Sequence, residues 1–225
     1  MSKYKISIGI PTINRADLLQ ENLDDLEKNF PDMEELHIVD NGLQGEDGRQ
    51  GFVFPPGLAD KIFLESMPQN IGVAASWNRM LNRAFVQKSA DYLLILNDDI
   101  VLGKTKQDII DVIETRDETW FLTGTYFWSV ILIHRNTFNQ VGLFDETFFP
   151  AYYEDNDYAR RILLSKPMEG HWGQDERLSP TVRRNSMTIA KDPSLNKGSN
   201  PNRKYYFQKW GGYPGKEVYT KPFNK

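Results

Sequence analysis

The chain has no cysteine among its 225 residues, which excludes disulfide bonds, thiol catalysis and cysteine metal sites. It also lacks any apolar run near the roughly 20 residues that a membrane-spanning helix requires. Its first residues run directly into a strand-like pattern, without the apolar core of a signal peptide. We therefore expect a soluble, cytoplasmic protein with no membrane span.

Positive charge is scarce as well, with 27 Lys and Arg against 31 Asp and Glu and a net charge of −4. Proteins that bind duplex nucleic acid usually present a basic field, so we expect no nucleic-acid partner. A nucleotide is still compatible as a small ligand. Apolar residues make up 40% of the chain, which is typical of a globular protein with a sizeable core.

Short apolar runs alternate with amphipathic helical patterns over the first half of the chain. The predicted strands cover residues 5–10, 35–39, 61–64, 92–96, two segments within 120–133, and 182–189. The predicted helices cover residues 16–29, 73–88, 105–116, 155–165 and 202–210. Residues 191–203 are rich in Pro, Gly, Ser and Asn, which predicts a mobile loop. The alternation predicts an α/β fold with one mostly parallel sheet flanked by helices.

The most informative stretch is the apolar run Tyr92–Leu96, which ends at Asn97-Asp98-Asp99. A run this short and continuously apolar indicates a central strand that helices cover on both faces. Two adjacent carboxylates at its carboxyl end repel each other and cost desolvation unless a cation or hydrogen-bond donors meet them. Because ligands bind at such strand ends, the motif predicts a divalent metal with a phosphate-bearing ligand. An acidic turn is the alternative.

Two further strand ends carry polar residues that belong to the same predicted sheet edge. Pro11, Thr12 and Arg15 follow the first strand, and Asp40 follows the second. In a parallel sheet these ends line one cleft. Asp40 could accept hydrogen bonds from a base or a ribose, or it could simply form a turn.

Small residues open the helix that follows Asn70. A helix start without bulky side chains at Gly72 and its neighbours suits an approaching phosphate or ribose, although a plain cap by Asn70 is the alternative. Trp77 lies on the apolar stripe of this helix, which favours a core position. Asn78 falls off the stripe and could face the cleft.

A second acidic pair, Glu154-Asp155, precedes a helical pattern. Acidic residues at a helix N-terminus interact favourably with its dipole, and this structural role is the simpler interpretation. The functional interpretation is a general base that faces a substrate hydroxyl. His134 and His171 are single histidines, and neither forms a metal-binding pattern by itself.

Taken in order, these segments resemble glycosyltransferase family 2, whose members are inverting enzymes of the GT-A fold. The resemblance is carried by ISIGIPTINRADLLQENLDDL, ELHIVDNG, QNIGVAASWNRML, DYLLILNDDIVL, VGLFDETFFPAYYEDNDYARR and YYFQKWGG, which run from residue 6 to residue 212. It implies a single domain over residues 1–225. Its nucleotide-binding half would be 1–103, its acceptor and catalytic half 104–190, and its mobile loop and C-terminal segment 191–225.

The resemblance also implies roles for the residues near the nucleotide. Pro11, Thr12 and Arg15 correspond to the first nucleotide-binding loop, and Asp40 corresponds to the acid that binds the base. Asn70, Gly72 and Asn78 are the further candidates for donor binding.

The two acidic pairs correspond to the family's chemical groups. Asp98 and Asp99 match the DxD-type motif, with Asp99 as the direct ligand of Mn²⁺ or Mg²⁺ and Asp98 nearer the ribose or sugar. Asp155 matches the catalytic base, with Glu154 as the fallback.

One departure from the family pattern concerns the metal. Many relatives carry a late histidine that completes the site, whereas the corresponding stretch here is Val182-Arg183-Arg184-Asn185-Ser186. Either His171 substitutes as a metal ligand, or metal dependence is weaker, or the arginines partly neutralise the diphosphate. Tyr205, Lys209 and Trp210 match a late motif whose segment packs near the donor site.

The implied activity is metal-assisted, inverting transfer of a sugar from a nucleotide-sugar donor to a hydroxyl of a glycan or other glycoconjugate acceptor. A UDP-sugar is favoured because an acid at the position of Asp40 suits uracil, and GDP-sugar and dTDP-sugar donors are also compatible. The alternatives are a sugar-phosphate nucleotidyltransferase and a binding module of the same fold without catalysis. The first usually has a Gly-rich basic loop after the first strand, and PTINR is not one; both acidic pairs are intact, which counts against the second.

Overall fold

A seven-stranded sheet with strand order β3-β2-β1-β4-β7-β6-β8 runs through the molecule. The computed structural model describes residues 3–42, 52–116, 120–125, 128–184 and 193–225. The strands are β1 (Ile6–Thr12), β2 (Glu35–Asp40), β3 (Ile62–Ser66), β4 (Tyr92–Leu96), β5 (Ile100–Val101), β6 (Phe121–Thr123), β7 (Val130–His134), β8 (Trp172–Gln174) and β9 (Val182–Arg183). The helices are α1 (Ala16–Asn29), α2 (Val73–Leu81), α3 (Lys106–Thr115), α4 (Arg135–Val141), α5 (Glu154–Leu164) and α6 (Ser199–Trp210).

The sheet is parallel through its first four strands and mixed beyond them. Strand β1 pairs in parallel with β2 and β4, and β2 pairs in parallel with β3. Strand β7 is antiparallel to both β4 and β6, and β8 is parallel to β6. The predicted α/β architecture with a mostly parallel sheet flanked by helices is confirmed.

Strand β4 is central and buried on both faces, as its unbroken apolar run predicts. Leu94 lies in the core cluster that includes α1 and α3, whereas Leu93 and Ile95 lie in the cluster that includes α2 and α5. Because the side chains of a strand alternate in direction, an apolar residue is needed at every position. The strand therefore delivers its polar ending, Asn97 to Asp99, to the sheet edge between two helical layers.

Several predicted boundaries shift in the structure. Strand β1 continues through Pro11, where β2 is its one remaining partner because pairing with β4 ends at Gly9. The helix predicted over 73–88 is α-helical to Leu81 and continues as a π-helix over Asn82–Gln87. Helix α3 begins with the expected capping box of Thr105 and Asp108.

The prediction of a mobile loop over residues 191–203 is wrong from residue 193 onward. Pro193–Gly198 forms a 3₁₀ helix and α6 begins at Ser199. Tyr206 and Trp210 pack on Phe148 in a buried aromatic cluster, so tertiary burial outweighs the polar local composition. Residues 191–192, and most of the strand predicted over 182–189, lie outside the described residues.

None of the helices in the described part of the chain is both long and apolar enough to cross a membrane.

Candidate functional site

A cavity of about 330 Å³ opens at the carboxyl ends of β1, β2 and β4. Eight of the predicted site residues line it: Pro11, Thr12, Asn70, Gly72, Asp98, Asp99, Glu154 and Asp155. The first half of the chain supplies six of them, and α5 supplies the last two. The structure therefore brings both acidic pairs to one cavity, although 55 positions of sequence separate their closest members.

Hydrogen bonds from three elements fix the first acidic pair. Thr12 Oγ1 donates to Asp98 Oδ2 at 2.9 Å, and Asn22 Nδ2 of α1 donates to the Asp98 carbonyl at 2.9 Å. The amide of Arg184 donates to the Asp99 carbonyl at 2.9 Å. Asp98 is 7% exposed and Asp99 9%, so both carboxylates lie in the wall of the cavity rather than in solvent.

The second acidic pair begins α5 and lies largely out of water. Burial raises the pKa of the Asp155 carboxyl above its ordinary value. Burial and then the neighbouring charge of Asp155 raise the pKa of Glu154 well above its ordinary value. Glu154 Oε2 is buried without a hydrogen-bond partner among the described residues, and the amide of Asn156 donates to Asp155 Oδ1 at 2.7 Å. Carboxyl groups with raised pKa values in a cavity suit proton transfer.

The segment before this pair is held in an unusual backbone conformation. Tyr152 and Tyr153 have φ angles of 78° and 74°, in the left-handed region that residues other than Gly rarely adopt. Asn202 of α6 donates to the carbonyls of Ala151 at 2.9 Å and Tyr152 at 3.0 Å. Such strain persists only where surrounding contacts over-determine it, and α6 supplies those contacts.

A buried charge network connects α5 to α6 and to Asp145. Lys209 Nζ lies 2.7 Å from Asp145 Oδ2 and 2.6 Å from Asp157 Oδ1. Trp210 Nε1 donates to Asp157 Oδ1 at 2.9 Å, and Arg161 Nε donates to Asp157 Oδ2 at 2.9 Å. Burial alone would raise the pKa of Asp145, but hydrogen bonds, above all from Lys209, lower it to about 2. The late motif therefore supports the helix that carries the acidic pair, and it does not line the cavity.

Three predicted donor-binding residues lie outside the cavity lining. Arg15 is buried and pairs with Asp17 at 2.8 Å. Asp40 accepts a hydrogen bond from the Gly42 amide at 2.9 Å, and burial raises the pKa of its carboxyl. Its contact with a base stays a prediction.

Asn78 is the third predicted donor-binding residue that lies outside the cavity lining, and its prediction is corrected. Its Nδ2 donates to the Phe144 carbonyl at 3.0 Å and to Glu146 Oε1 at 2.8 Å, and its Oδ1 accepts from the Phe144 amide at 2.8 Å. The side chain is therefore a tie between α2 and the following loop rather than a donor contact.

Three amides just before and at the start of α2 are bonded within the protein and are not free for a phosphate. The amide of Ile71 donates to Asn41 Oδ1, that of Gly72 to Asn70 Oδ1, and that of Val73 to the Pro150 carbonyl. Gly72 is required here because its φ is 84° and a Cβ would lie 2.9 Å from the ring of the neighbouring Phe149. Asn70 accepts the Gly72 amide, but the N-cap of α2 is Gly72 and has no side-chain cap bond, so Asn70 is not the cap of this helix. Phosphate binding by the other first-turn amides stays a prediction.

His171 cannot complete a metal site with Asp99. Its carbonyl accepts the amides of Trp120 and Phe121, and its ring stacks on Trp120 at a centroid distance of 4.3 Å. Through β6 and β7 this position aligns with the amino end of β4, whereas Asp99 follows the carboxyl end. The prediction that His171 substitutes as a ligand is therefore wrong.

The carboxylates of Asp98 and Asp99 fit a metal that also binds a phosphate of the ligand. No cluster of three or more His, Asp or Glu able to hold a metal occurs in the described ranges. Mg²⁺ commonly binds one or two carboxylates together with substrate phosphates and water, and Asp98 with Asp99 supplies that number. Arg183 also lines the cavity, because β9 pairs with β5 directly after the acidic pair.

Several cavity residues were not among the predicted site residues, and Trp77 and Asn41 are two of them. Trp77 was expected in the core, and it is 2% exposed, but it also lines the cavity with its Nε1 unpartnered among the described residues. Asn41 lines the cavity and joins the start of α2 to the end of β2 through Ser76. The sequence signal for Asn41 was its position beside Asp40 at a strand end.

Comparison with solved structures identifies the fold. Glucosyl-3-phosphoglycerate synthase from Mycobacterium tuberculosis, in complex with Mn²⁺, UDP and glucosyl-3-phosphoglycerate, aligns with a TM-score of 0.57 and 11% identity over 89% of this chain and 80% of that chain. S. aureus TarS aligns with a TM-score of 0.56 and 16% identity over 78% of this chain and 36% of that chain.

The mannosyltransferase PcManGT from Pyrobaculum calidifontis, in complex with GDP-Man and Mn²⁺, gives a TM-score of 0.52 and 14% identity over 89% of this chain and 64% of that chain. The chain thus spans little more than a third of TarS. No family model and no curated protein matches the sequence. The fold is the GT-A fold of glycosyltransferases.

Proposed function

We propose that the chain is an inverting glycosyltransferase of family 2 type, which moves a sugar from a nucleoside-diphosphate sugar to a hydroxyl of a glycan or other glycoconjugate. One observation carries the proposal: Asp98-Asp99 and Glu154-Asp155 line the same cavity at the sheet edge. Sugar transfer needs a cation to neutralise the leaving diphosphate and a base to take the proton of the acceptor hydroxyl. One acidic pair can hold the cation and the other can supply the base. The first choice of donor is a UDP-sugar.

Asp155 is the proposed general base. Its carboxylate takes the acceptor hydroxyl proton while that oxygen forms a bond to the anomeric carbon from the face opposite the diphosphate. The bond between the anomeric carbon and the diphosphate oxygen breaks, and the nucleoside diphosphate leaves with the electron pair. The raised pKa of Asp155 makes its carboxylate a stronger base than an exposed aspartate. Glu154 is the fallback, because its stronger burial favours the protonated form.

Asp99, assisted by Asp98, is proposed to hold Mn²⁺ or Mg²⁺, which when bound neutralises negative charge on the departing diphosphate. Asp98 Oδ2 accepts a hydrogen bond from Thr12, which fixes its position beside β1. Arg183 adds a positive charge to the same wall. Asp40 is the proposed contact for the nucleotide base.

Two substitutions test the separate roles proposed for Asp155 and Asp99. Asp155→Asn is expected to abolish transfer, measured as nucleotide release with an acceptor panel, and to leave donor binding by calorimetry within about two-fold. Asp99→Ala is expected to weaken donor binding in the presence of Mn²⁺. Asp24→Asn, an exposed acid on α1, is the matched control. Near-normal turnover in Asp155→Asn would remove this residue as the base.

A further inference from the structure

The outward face of α6 carries two exposed cations, Arg203 and Lys204. Residues 193–225 contain seven Lys and Arg and one acidic residue, although the whole chain has a net charge of −4. Lys209 is buried and paired with Asp145 and Asp157. Arg203 and Lys204 are exposed, and neither forms an ion pair within the part of the chain that the structure describes.

Two exposed aromatic rings accompany these cations. Phe207 is 45% exposed and Tyr213 43%, and their ring centroids lie 5.1 Å apart. The Arg203 guanidinium lies 4.5 Å from the centre of the Tyr213 ring, which holds the cation beside the aromatic pair. Together with Lys204, Asn200 and Gln208, these residues line a groove of about 360 Å³.

The segment that leads into the groove residues contacts the cavity. Leu195, just before α6, lines the cavity, and the Tyr152 hydroxyl donates to Asn196 Oδ1 at 2.6 Å. Since an α-helix rises 1.5 Å per residue, Phe207 lies roughly 14 Å along the helix from Gly198. The cavity and the groove are therefore joined in sequence by the short segment between Leu195 and Asn200.

We propose that this groove binds an anionic glycan chain, and that it holds the acceptor; the second part rests on the proposed transferase function. The aromatic rings offer flat apolar faces to sugar rings, and the amides of Asn200 and Gln208 can bond hydroxyl groups. Arg203 and Lys204 supply the partners for carboxylate, sulfate or phosphate groups on the chain. A lipid surface fits less well, because the aromatic rings line a concavity instead of projecting from the protein.

Calorimetry with defined probes tests this binding without any need for catalysis. The probes are a hexagalacturonate and a sulfated hexasaccharide, each beside its uncharged counterpart, and vesicles of phosphatidylglycerol. We expect both charged oligosaccharides to bind more tightly than their uncharged counterparts, with affinity that falls as salt rises. The proposal is overturned if charge on the oligosaccharide has no effect, or if only the vesicles bind.

Variants of the groove separate specific binding from general charge. The double variant Arg203→Gln/Lys204→Gln is expected to weaken oligosaccharide binding by roughly five- to twenty-fold, since an exposed ion pair contributes up to about five-fold each. Phe207→Ala, which keeps the charge, is expected to weaken it as well. The control Lys28→Gln/Lys166→Gln removes the same charge from exposed positions elsewhere and should bind as the wild type does.

Donor binding distinguishes the failure of this inference from the failure of the proposed function. The double variant is expected to bind UDP-sugar with Mn²⁺ as tightly as the wild type, because neither residue lines the cavity. Unchanged oligosaccharide binding in the double variant would overturn the groove while leaving the donor site intact. Oligosaccharide binding in a wild-type protein that binds no nucleotide sugar would instead retain the groove and remove its link to an acceptor.

Discussion

Replacing Lys209 with Met tests whether the buried charge network is what holds α5 in place. The methionine keeps most of the side-chain length and removes the charge. Asp157 is fully buried and retains Arg161 and Trp210, whereas Asp145 loses its strongest hydrogen bond. Removing one partner of a buried ion pair costs about 3–5 kcal/mol, and the partners that remain favour the lower end of that range. We therefore expect a loss of about 3 kcal/mol in the free energy of unfolding at pH 7.

The size of this loss should depend on pH. The folded-state pKa of Asp145 is about 2, below the ordinary value of 3.8. A lowered carboxyl pKa stabilises the fold above the unfolded-state pKa, and this contribution disappears as pH falls through the folded-state value. The difference corresponds to about 2 kcal/mol at neutral pH. Hydrogen bonds from Thr147 also lower this pKa and remain in the variant. Between pH 7 and pH 3, the gap in unfolding free energy between wild type and Lys209→Met should therefore narrow by up to about 1 kcal/mol.

Urea unfolding followed by circular dichroism at pH 7, 5, 4 and 3 measures this prediction. Lys204→Met, on the exposed face of the same helix, is the matched control and should change the free energy of unfolding by less than about 0.5 kcal/mol. A loss below about 1 kcal/mol for Lys209→Met at pH 7 would refute a structural role for the network. A gap that stays constant from pH 7 to pH 3 would refute the role assigned to Asp145.

Three further predictions concern the cavity. Because the pKa of Asp155 is raised and its ionised form is the base, the rate of transfer should fall on acidification at a pH above the ordinary aspartate value of 3.8; a pH profile of kcat/KM that stays level down to that value would contradict this. His171→Ala should change Mn²⁺-dependent donor affinity by less than about two-fold, because the ring stacks on Trp120 at the other end of the sheet. A ten-fold loss of donor affinity in calorimetry would instead indicate that His171 is a metal ligand. Gly72→Val should destabilise the protein by about 1–3 kcal/mol in urea, because a side chain at φ 84° is strained and meets the neighbouring ring, and an unchanged midpoint would contradict that reading.

Local signals in the sequence were sufficient where an element's own residues dictate its structure. Helix α1 has the predicted bounds, because its leucines repeat at helical spacing and their stripe is buried. The end of β4 at Leu96 is equally local, because the apolar run stops there and Asn97 begins the polar ending. Both acidic pairs stand at the ends or starts of elements that the pattern alone located.

Other features could not be read locally. Asn78 is a residue type that often binds ligands, but its side-chain amide donates to the carbonyl of Phe144, which lies 66 positions away. His171 is ordinary in sequence, and only the strand order of β6, β7 and β8 assigns it to the far end of the sheet. The polar start of α6 resembles a loop until the aromatic cluster around Phe148 gives its helix a buried face.

The sequence by itself determined the class of fold and the chemistry available at the sheet edge, because hydrophobic period and strand endings are encoded over a few residues. The tertiary structure decided which groups meet. It joined Asp98-Asp99 to Glu154-Asp155, assigned Lys209 to the support of α5, and brought Arg183 and Trp77 to the cavity. These outcomes depend on contacts between distant segments, whose burial and pairing energies no local pattern expresses.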